Sequence, residues 1–218
     1  QLTVDLRDHL NNETPYLLGN DLERRSASVL LGGVINDETL WSCTTCGACE
    51  EECPVMIEYV NKVVDLRRGL VLTENRYPNE FVNAFKSLET QSNPWGFGRN
   101  TRADWAKKLD IKIWDKHNPT EYLYFVGCNG AFDDRGKKIA TAVVHSLKSA
   151  GVDFSILGND EGCTGDPARR AGNEYLFDLL ASRNAELFKE KSIIKIVTHC
   201  PHCFNSLKNE YSEFGVEL

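Results

Sequence analysis

The chain carries eight cysteines, and their spacing divides them into two groups. One group lies within eleven residues, and the other is spread over about a third of the chain. No basic-then-apolar export signal opens the sequence, so a reducing compartment is expected, where clustered thiols bind metal or do redox chemistry more often than they form disulfides. The first group is Cys43, Cys46, Cys49 and Cys53, and the second is Cys128, Cys163, Cys200 and Cys203.

The first group reads C-x2-C-x2-C-x3-C-P, which is the run typical of bacterial [4Fe–4S] ferredoxins. Thiolates two residues apart wrap a tight loop around three corners of a cube, and Gly47 lets the backbone approach. Pro54 suits the first position of a following helix. A zinc site is the alternative, although its usual cysteines come as CxxC pairs rather than as a triple run. The run therefore predicts a [4Fe–4S] cluster.

Only one such run is present, whereas in two-cluster ferredoxins the fourth cysteine of each run ligates the other cluster. Either Cys53 closes the local cluster, or it serves a cluster whose other ligands lie upstream of Gln1. The abrupt start favours a fragment of a longer parent chain, and the chain is expected to be truncated at both ends.

Helical apolar spacing surrounds the first group, and a cluster loop among helices resembles the alpha-helical ferredoxin domain rather than the small β-rich ferredoxin. We predict this domain over residues 1–92. Its first two predicted helices are one over 22–31 and a short one over 38–41 capped by Asp37. A third follows Pro54, with Val55, Tyr59, Val63 and Leu66 on its apolar face. A fourth has Phe81, Ala84, Phe85 and Leu88 on its apolar face.

Turn residues mark 93–120 as a linker, in which Trp95, Trp105 and Trp114 are expected at an interface between domains. From residue 121 onward, strand and helix patterns alternate. This alternation predicts a parallel α/β sheet over 121–218 and a two-domain α+β protein overall. The predicted strands are 122–126, 154–157 and 193–197. The predicted helices are one with Ile139, Val143 and Leu147 on one face and Gly151 as its stop, one over 166–189 with Asp166 as its cap and Pro167 at its first position, and one over 204–211.

The second cysteine group follows the ends of the predicted strands. Cys128 comes after the first strand, Cys163 after the second, and Cys200 and Cys203 after the third. Because open α/β sheets build their sites beyond the carboxyl ends of parallel strands, these four thiols are expected to converge. The expected occupant is a second iron–sulfur cluster; a structural zinc ion or a disulfide are the alternatives.

The second group resembles the cysteine-rich CCG domain, whose motif has a long gap, Cys-Cys-Gly, a second long gap and then CxxC. That domain occurs in heterodisulfide reductase, in iron–sulfur subunits of glycolate, lactate and anaerobic glycerol-3-phosphate oxidising enzymes, and in membrane-bound electron-transfer-flavoprotein:quinone oxidoreductases. The segments 40–49, 165–177 and 200–205 resemble the last of these most. Members of that group carry an upstream membrane domain with haem b.

One departure from the motif is Thr164, which replaces the second cysteine of the Cys-Cys pair. In heterodisulfide reductase, five such cysteines hold a non-cubane cluster that cleaves disulfides. The four thiolates here instead favour an ordinary [4Fe–4S] relay, so no catalytic residue is expected. Thr164 and His202 are expected to hydrogen-bond the cluster or its ligands, although either could complete an unusual site.

The resemblance implies an oxidoreductase component, and for the fragment alone an electron relay from an electron-transfer flavoprotein or flavin dehydrogenase towards a membrane haem b and quinone domain. The alternatives are a thiol–disulfide reductase, an iron–sulfur subunit of a 2-hydroxy-acid oxidase and a zinc-stabilised interaction domain. The net charge of −7 argues against nucleic-acid binding. No apolar run approaches the ~20 residues that span a bilayer. The expected location is the cytoplasmic face of the cell membrane, or the cytoplasm for an isolated chain.

Overall fold

The computed structural model describes residues 1–18 and 29–216. The chain divides into two compact units, Gln1–Pro78 and Asn79–Leu218. The boundaries expected after residues 92 and 120 stay a prediction. The predicted helix over 22–31 lies for the most part outside the described residues. In the described part of the chain, no helix is both long enough and apolar enough to cross a membrane.

The first unit is helical in its described residues and packs on the buried side chains of Leu40, Val63 and Leu70. Its cysteine loop lies between the second helix and the fourth. The helices are α1 (Leu2–Leu17), α2 (Asp37–Trp41), α3 (Ala48–Glu51) and α4 (Val60–Glu74).

Two helix starts in this unit differ from the predictions. Asn36, not Asp37, caps α2, because its side chain accepts a hydrogen bond from the Thr39 N–H at 2.7 Å. The helix predicted directly after Pro54 begins only at Val60. There the Glu50 carboxylate accepts the Val60 N–H at 2.6 Å, so a residue of the acidic run holds the start of α4.

The second unit contains a sheet of four parallel strands in the order β1-β3-β2-β4. Its core contains Tyr124, Val126, Ala140, Val144 and Phe154. The strands are β1 (Lys112–Ile113), β2 (Tyr122–Tyr124), β3 (Phe154–Ile156) and β4 (Ile196–Val197); the helices are α5 (Glu80–Gln91), α6 (Gly127–Phe132), α7 (Asp134–Ser149), α8 (Asp166–Arg170), α9 (Glu174–Glu190) and α10 (Pro201–Asn205).

The segment expected as a linker packs within this second unit. It contributes β1, which pairs with β3. The Trp114 indole donates to the Lys191 carbonyl at 3.1 Å, and Trp105 packs edge-on against Tyr124. The Trp95 side chain is half exposed.

The helices of this unit differ in detail from the predictions. The predicted helix over 166–189 is two helices, α8 and α9, because the chain turns at Gly172 with φ +81° and restarts at Asn173, whose side chain caps α9. Asp166 is the first residue of α8, and Gly165 precedes it with φ +89°. In α7 the buried positions are Gly136, Ala140 and Val144. Of the predicted apolar face, Val143 and Leu147 are partly buried against the core, while Ile139 is 42% exposed. The predicted helix over 204–211 begins at Pro201 as α10, and the chain continues from Ser206 in a wider π-helical turn and then a 3-10 turn.

Candidate iron–sulfur sites

The second cysteine group gathers at the carboxyl edge of the parallel sheet. Cys128 lies in α6 directly after β2, Cys163 lies in the loop after β3, and Cys200 and Cys203 lie at the start of α10 after β4. The central strand β2 is flanked by β3 and β4, so the segments that follow these three strands are neighbours. The parallel topology therefore places the four cysteines where the sequence predicts.

The four thiols of this group meet in the second unit. The thiols of Cys128 and Cys163 are close enough to perturb each other's pKa, as are those of Cys200 and Cys203, and Cys203 also lies within the electrostatic reach of Cys128 and Cys163. Among the described residues, no three His, Cys, Asp or Glu side chains close on the position of one metal ion. A four-iron cluster does not require this, because its four thiolates are distributed over the cluster.

The pairing lowers the pKa of one thiol in each pair. The hydrogen bond from Cys163, followed by the charge of Arg102, lowers the pKa of Cys128 to about 7. The hydrogen bond from Cys203 lowers the pKa of Cys200 to about 6. The partner thiols, Cys163 and Cys203, have raised pKa values. Because the thiolate is the form that binds metal, the lowered pKa values of Cys128 and Cys200 favour the form that a ligand needs.

The surroundings of these cysteines fit a cluster. Gly127 has φ +76°, and a Cβ there would lie 2.9 Å from the Cys203 sulfur, so the backbone makes room beside that thiol. The Gly165 N–H donates to the Cys163 sulfur at 3.4 Å. The Thr164 hydroxyl and His199 Nε2 are buried without a hydrogen-bond partner, which leaves two polar groups available to a bound group.

The two histidines near the CxxC pair differ. His199 Nδ1 is hydrogen-bonded to the Tyr124 hydroxyl at 2.8 Å, and burial lowers the pKa of His199, which favours the neutral ring. His202, expected to hydrogen-bond the cluster or its ligands, is two-thirds exposed and pairs with Asp166 at 3.1 Å. Thr164, expected in the same role, is buried, and its carbonyl accepts the Tyr211 hydroxyl at 2.9 Å.

Sequence reasoning missed a buried ion pair beside Cys128. Arg102 and Glu161 are each 2% exposed and are joined by a contact of 2.8 Å. The Arg102 guanidinium also lies 3.5 Å from the Cys128 sulfur. Glu161 could have been noticed, because it stands two residues before Cys163. Arg102 stands in an irregular segment 59 residues from Glu161, where no local pattern signals its burial.

The first group lies on the loop between α2 and α4. Three of its cysteines, Cys43, Cys49 and Cys53, line one cavity of about 700 Å³. Cys46 lines a neighbouring cavity of about 640 Å³ beside Gly47. The structure thus brings three of the predicted ligands to one cavity and turns the fourth towards another.

Backbone N–H groups surround the sulfurs of this loop. The Thr45 N–H donates to the Cys43 sulfur at 3.4 Å, and the Ile57 N–H donates to the Cys53 sulfur at 3.3 Å. Backbone hydrogen bonds, with that of Ile57 the largest, lower the pKa of Cys53, and that of Ala48 does most to lower the pKa of Cys46. The loop therefore offers N–H donors of the kind that stabilise thiolate ligands.

Arg67 of α4 holds the loop to the helical core. Its guanidinium donates to the Leu40 carbonyl at 2.7 Å and to the Cys43 carbonyl at 2.6 Å, and it stacks over the Trp41 ring at 5.0 Å. Arg67 is 5% exposed. The position of Cys43 is thus tied to α4 through a buried cation rather than through the local loop sequence alone.

Comparison with known proteins gives two family matches. Residues 122–208 match the family described as Cysteine-rich domain, and residues 6–57 match the family described as 4Fe-4S dicluster domain. The two matches span both cysteine groups and support two iron–sulfur clusters. No solved structure is significantly similar to the chain.

Several curated proteins are similar over most of the chain. The probable iron-sulfur-binding oxidoreductase FadF of Bacillus subtilis is 46% identical over 86% of this chain and 28% of its own length. The EtfAB:quinone oxidoreductase of Syntrophomonas wolfei is 38% identical over 98% of this chain and 33% of its own length. One subunit of the dihydromethanophenazine:CoB–CoM heterodisulfide reductase of Methanosarcina mazei is 34% identical over 81% of this chain and 42% of its own length. The chain therefore spans less than half the length of these relatives.

Proposed function

Since this chain is similar to iron–sulfur oxidoreductases and matches the 4Fe-4S dicluster and Cysteine-rich domain families, we propose that it relays electrons between two clusters, one at each cysteine group. Bound clusters would supply the one-electron chemistry. The chain's own residues would hold the clusters, exclude water and set the charge around them. The ligands would be the four cysteines of the first group and the four of the second.

The observation that carries this proposal is the convergence of the second group. Cys128, Cys163, Cys200 and Cys203 come from three separate segments of the chain, yet they meet at one edge of the sheet. The Thr164 hydroxyl and His199 Nε2, whose residues are the sequence neighbours of Cys163 and Cys200, are buried without partners. A set of thiols and unpaired polar atoms in a largely buried site is what a thiolate-bound cluster needs.

For a protein with the length of these relatives, we propose that electrons enter from a flavoprotein and leave towards a quinone, through a membrane domain that carries haem b. The support is the relative named EtfAB:quinone oxidoreductase and a Chromohalobacter salexigens relative, 43% identical over 82% of this chain, named as a probable membrane-anchored ferredoxin. The proposed place of this chain is the cytoplasmic face of that membrane.

The test of the relay is metal analysis of the full chain purified without oxygen. We expect about eight irons and about eight sulfides per chain, as two [4Fe–4S] clusters require. The variants Cys49→Ser and Cys163→Ser should each lose about half of the iron, because each removes a ligand from one group only. Stoichiometric zinc, with iron for one cluster and no further loss in Cys163→Ser, would contradict the second site.

A second candidate function is thiol–disulfide reduction, favoured by the 34% identity to a heterodisulfide reductase component. Thr164 stands where the CCG motif has the second cysteine of its Cys-Cys pair, so this chain is expected to lack the disulfide chemistry of heterodisulfide reductase. Thiol release from a mixed-disulfide substrate, measured with dithionite-reduced protein, separates the two functions. Turnover by the wild type that is lost in Cys163→Ser would favour the reductase.

A further inference from the structure

We propose that Arg102 sets the reduction potential of the second-group site, by holding its positive charge against the sulfur of Cys128, and that Glu161 fixes Arg102 in that position. This inference rests on the proposed function, since it requires a redox centre at these cysteines. It assigns a role to two residues that belong to neither cysteine motif.

Arg102 is a buried cation with its donors directed at the cysteine site. Its two terminal nitrogens lie 3.5 and 3.6 Å from the Cys128 sulfur. The same guanidinium donates to the carbonyls of Ser92 at 3.4 Å and Gly162 at 3.2 Å. These contacts fix the plane of the guanidinium, so its charge has one position relative to Cys128.

Glu161 anchors Arg102 to the start of α6, the helix that carries Cys128. One carboxylate oxygen accepts from Arg102 at 2.8 Å and from the Gly127 N–H at 2.9 Å. The other accepts from the Val126 N–H at 2.9 Å. The carboxylate is thus held by the backbone immediately before Cys128, and Arg102 cannot move away from the sulfur without losing these contacts.

The charges of Arg102 and Glu161 do not act equally on the Cys128 sulfur. Arg102 lies directly against the Cys128 sulfur, while the Glu161 carboxylate is turned to two backbone N–H groups that disperse its negative charge. Charges interact strongly in such a buried place, because little water screens them. Reduction adds one electron and no atom, so it makes the site more negative by one unit. Arg102 therefore favours the reduced state, and Glu161 opposes it.

The test is a redox titration of the full chain with dithionite as the reductant, followed by electron paramagnetic resonance. It uses a Cys46→Ala, Cys49→Ala background, in which the first site lacks two ligands. Arg102→Gln should lower the equilibrium constant for reduction by tenfold or more, which is about 59 mV per tenfold for one electron. Glu161→Gln should shift it in the opposite direction. The double variant should fall between the single variants.

Arg135→Gln is the matched control, because it removes the same charge from an exposed position of the same unit. Its shift should stay below twofold, since water and salt screen it. Shifts of Arg102→Gln and Glu161→Gln in the same direction, or within twofold of this control, would overturn the inference. If the Arg102→Gln variant loses its iron, the Glu161→Gln variant alone decides the test. An unchanged or lowered equilibrium constant for reduction in the Glu161→Gln variant would overturn the inference. Absence of iron from the second group in the Cys46→Ala, Cys49→Ala background itself would instead overturn the proposed function.

Discussion

Gly127 offers a direct test of how closely the backbone fits the second cysteine group. We predict that Gly127→Ala both destabilises the fold and weakens cluster binding. Gly127 has φ +76°, and an added Cβ would lie 2.9 Å from the Cys203 sulfur and 3.8 Å from the Cys200 Cβ. The new methyl group would therefore push on Cys203, which we propose as a ligand, and would make only an ordinary contact with Cys200.

The expected loss of stability in Gly127→Ala has two parts. A left-handed backbone costs a residue with a side chain roughly 1–2 kcal/mol. Overpacking against Cys203 adds about 1–3 kcal/mol, because the contact must open before the methyl group fits. Gly151 supplies the control: its φ is +69°, and nothing lies within 4 Å of an added Cβ. Gly151→Ala should show only the first cost, and its iron content should equal that of the wild type.

The assay is urea unfolding of each variant, with iron per chain measured on the same anaerobic preparations. We expect the free energy of unfolding to fall by about 1–3 kcal/mol more in Gly127→Ala than in Gly151→Ala, and Gly127→Ala to retain less iron. Equal stability and equal iron in the two variants would refute the reasoning, since both have the same backbone cost and only one meets a proposed ligand.

Three further predictions concern both sites. Cys46→Ser should remove one cluster signal in electron paramagnetic resonance and leave the second site loaded; loss of both signals with global unfolding would contradict it. Thr164→Ala should leave the iron content unchanged, because its hydroxyl has no hydrogen-bond partner in the protein, and should shift the potential modestly; loss of the cluster would make Thr164, or a group it holds, a ligand. Arg67→Met should lower the free energy of unfolding by about 2–3 kcal/mol, since it leaves the buried Leu40 carbonyl and the partly buried Cys43 carbonyl without that donor. A thermal melt within the error of the wild type would argue against this role of Arg67.

Much of the candidate site could be predicted from the sequence, because the relevant signals are local. The spacing of the first group stands within one short segment, and strand patterns at 122–126, 154–157 and 193–197 place the second group after three strands. The structure confirms parallel strands in these regions, with β4 shortened to Ile196–Val197. Topology then brings Cys128, Cys163, Cys200 and Cys203 together, since the ends of adjacent parallel strands are neighbours.

Helix boundaries are predicted less well, because they depend on single hydrogen bonds and dihedral angles. Asn36 and Asp37 are both good caps by type, and only the Thr39 N–H at 2.7 Å from Asn36 distinguishes them. The apolar pattern runs through Gly172 without interruption, yet the backbone there adopts φ +81° and divides α8 from α9. A pattern of side chains does not record which conformation a permissive residue adopts.

The types of the proposed ligands and their division into two groups follow from the sequence, whereas the groups that surround them depend on the folded chain. Arg102 lies in a segment without apolar periodicity, and its partner Glu161 is 59 residues away. A buried ion pair of this kind forms only when the chain has closed around it, because each charge is stable away from water only with the other and with the backbone groups beside it. The charge against Cys128 is therefore a property of the tertiary structure, and no local spacing of residues encodes it.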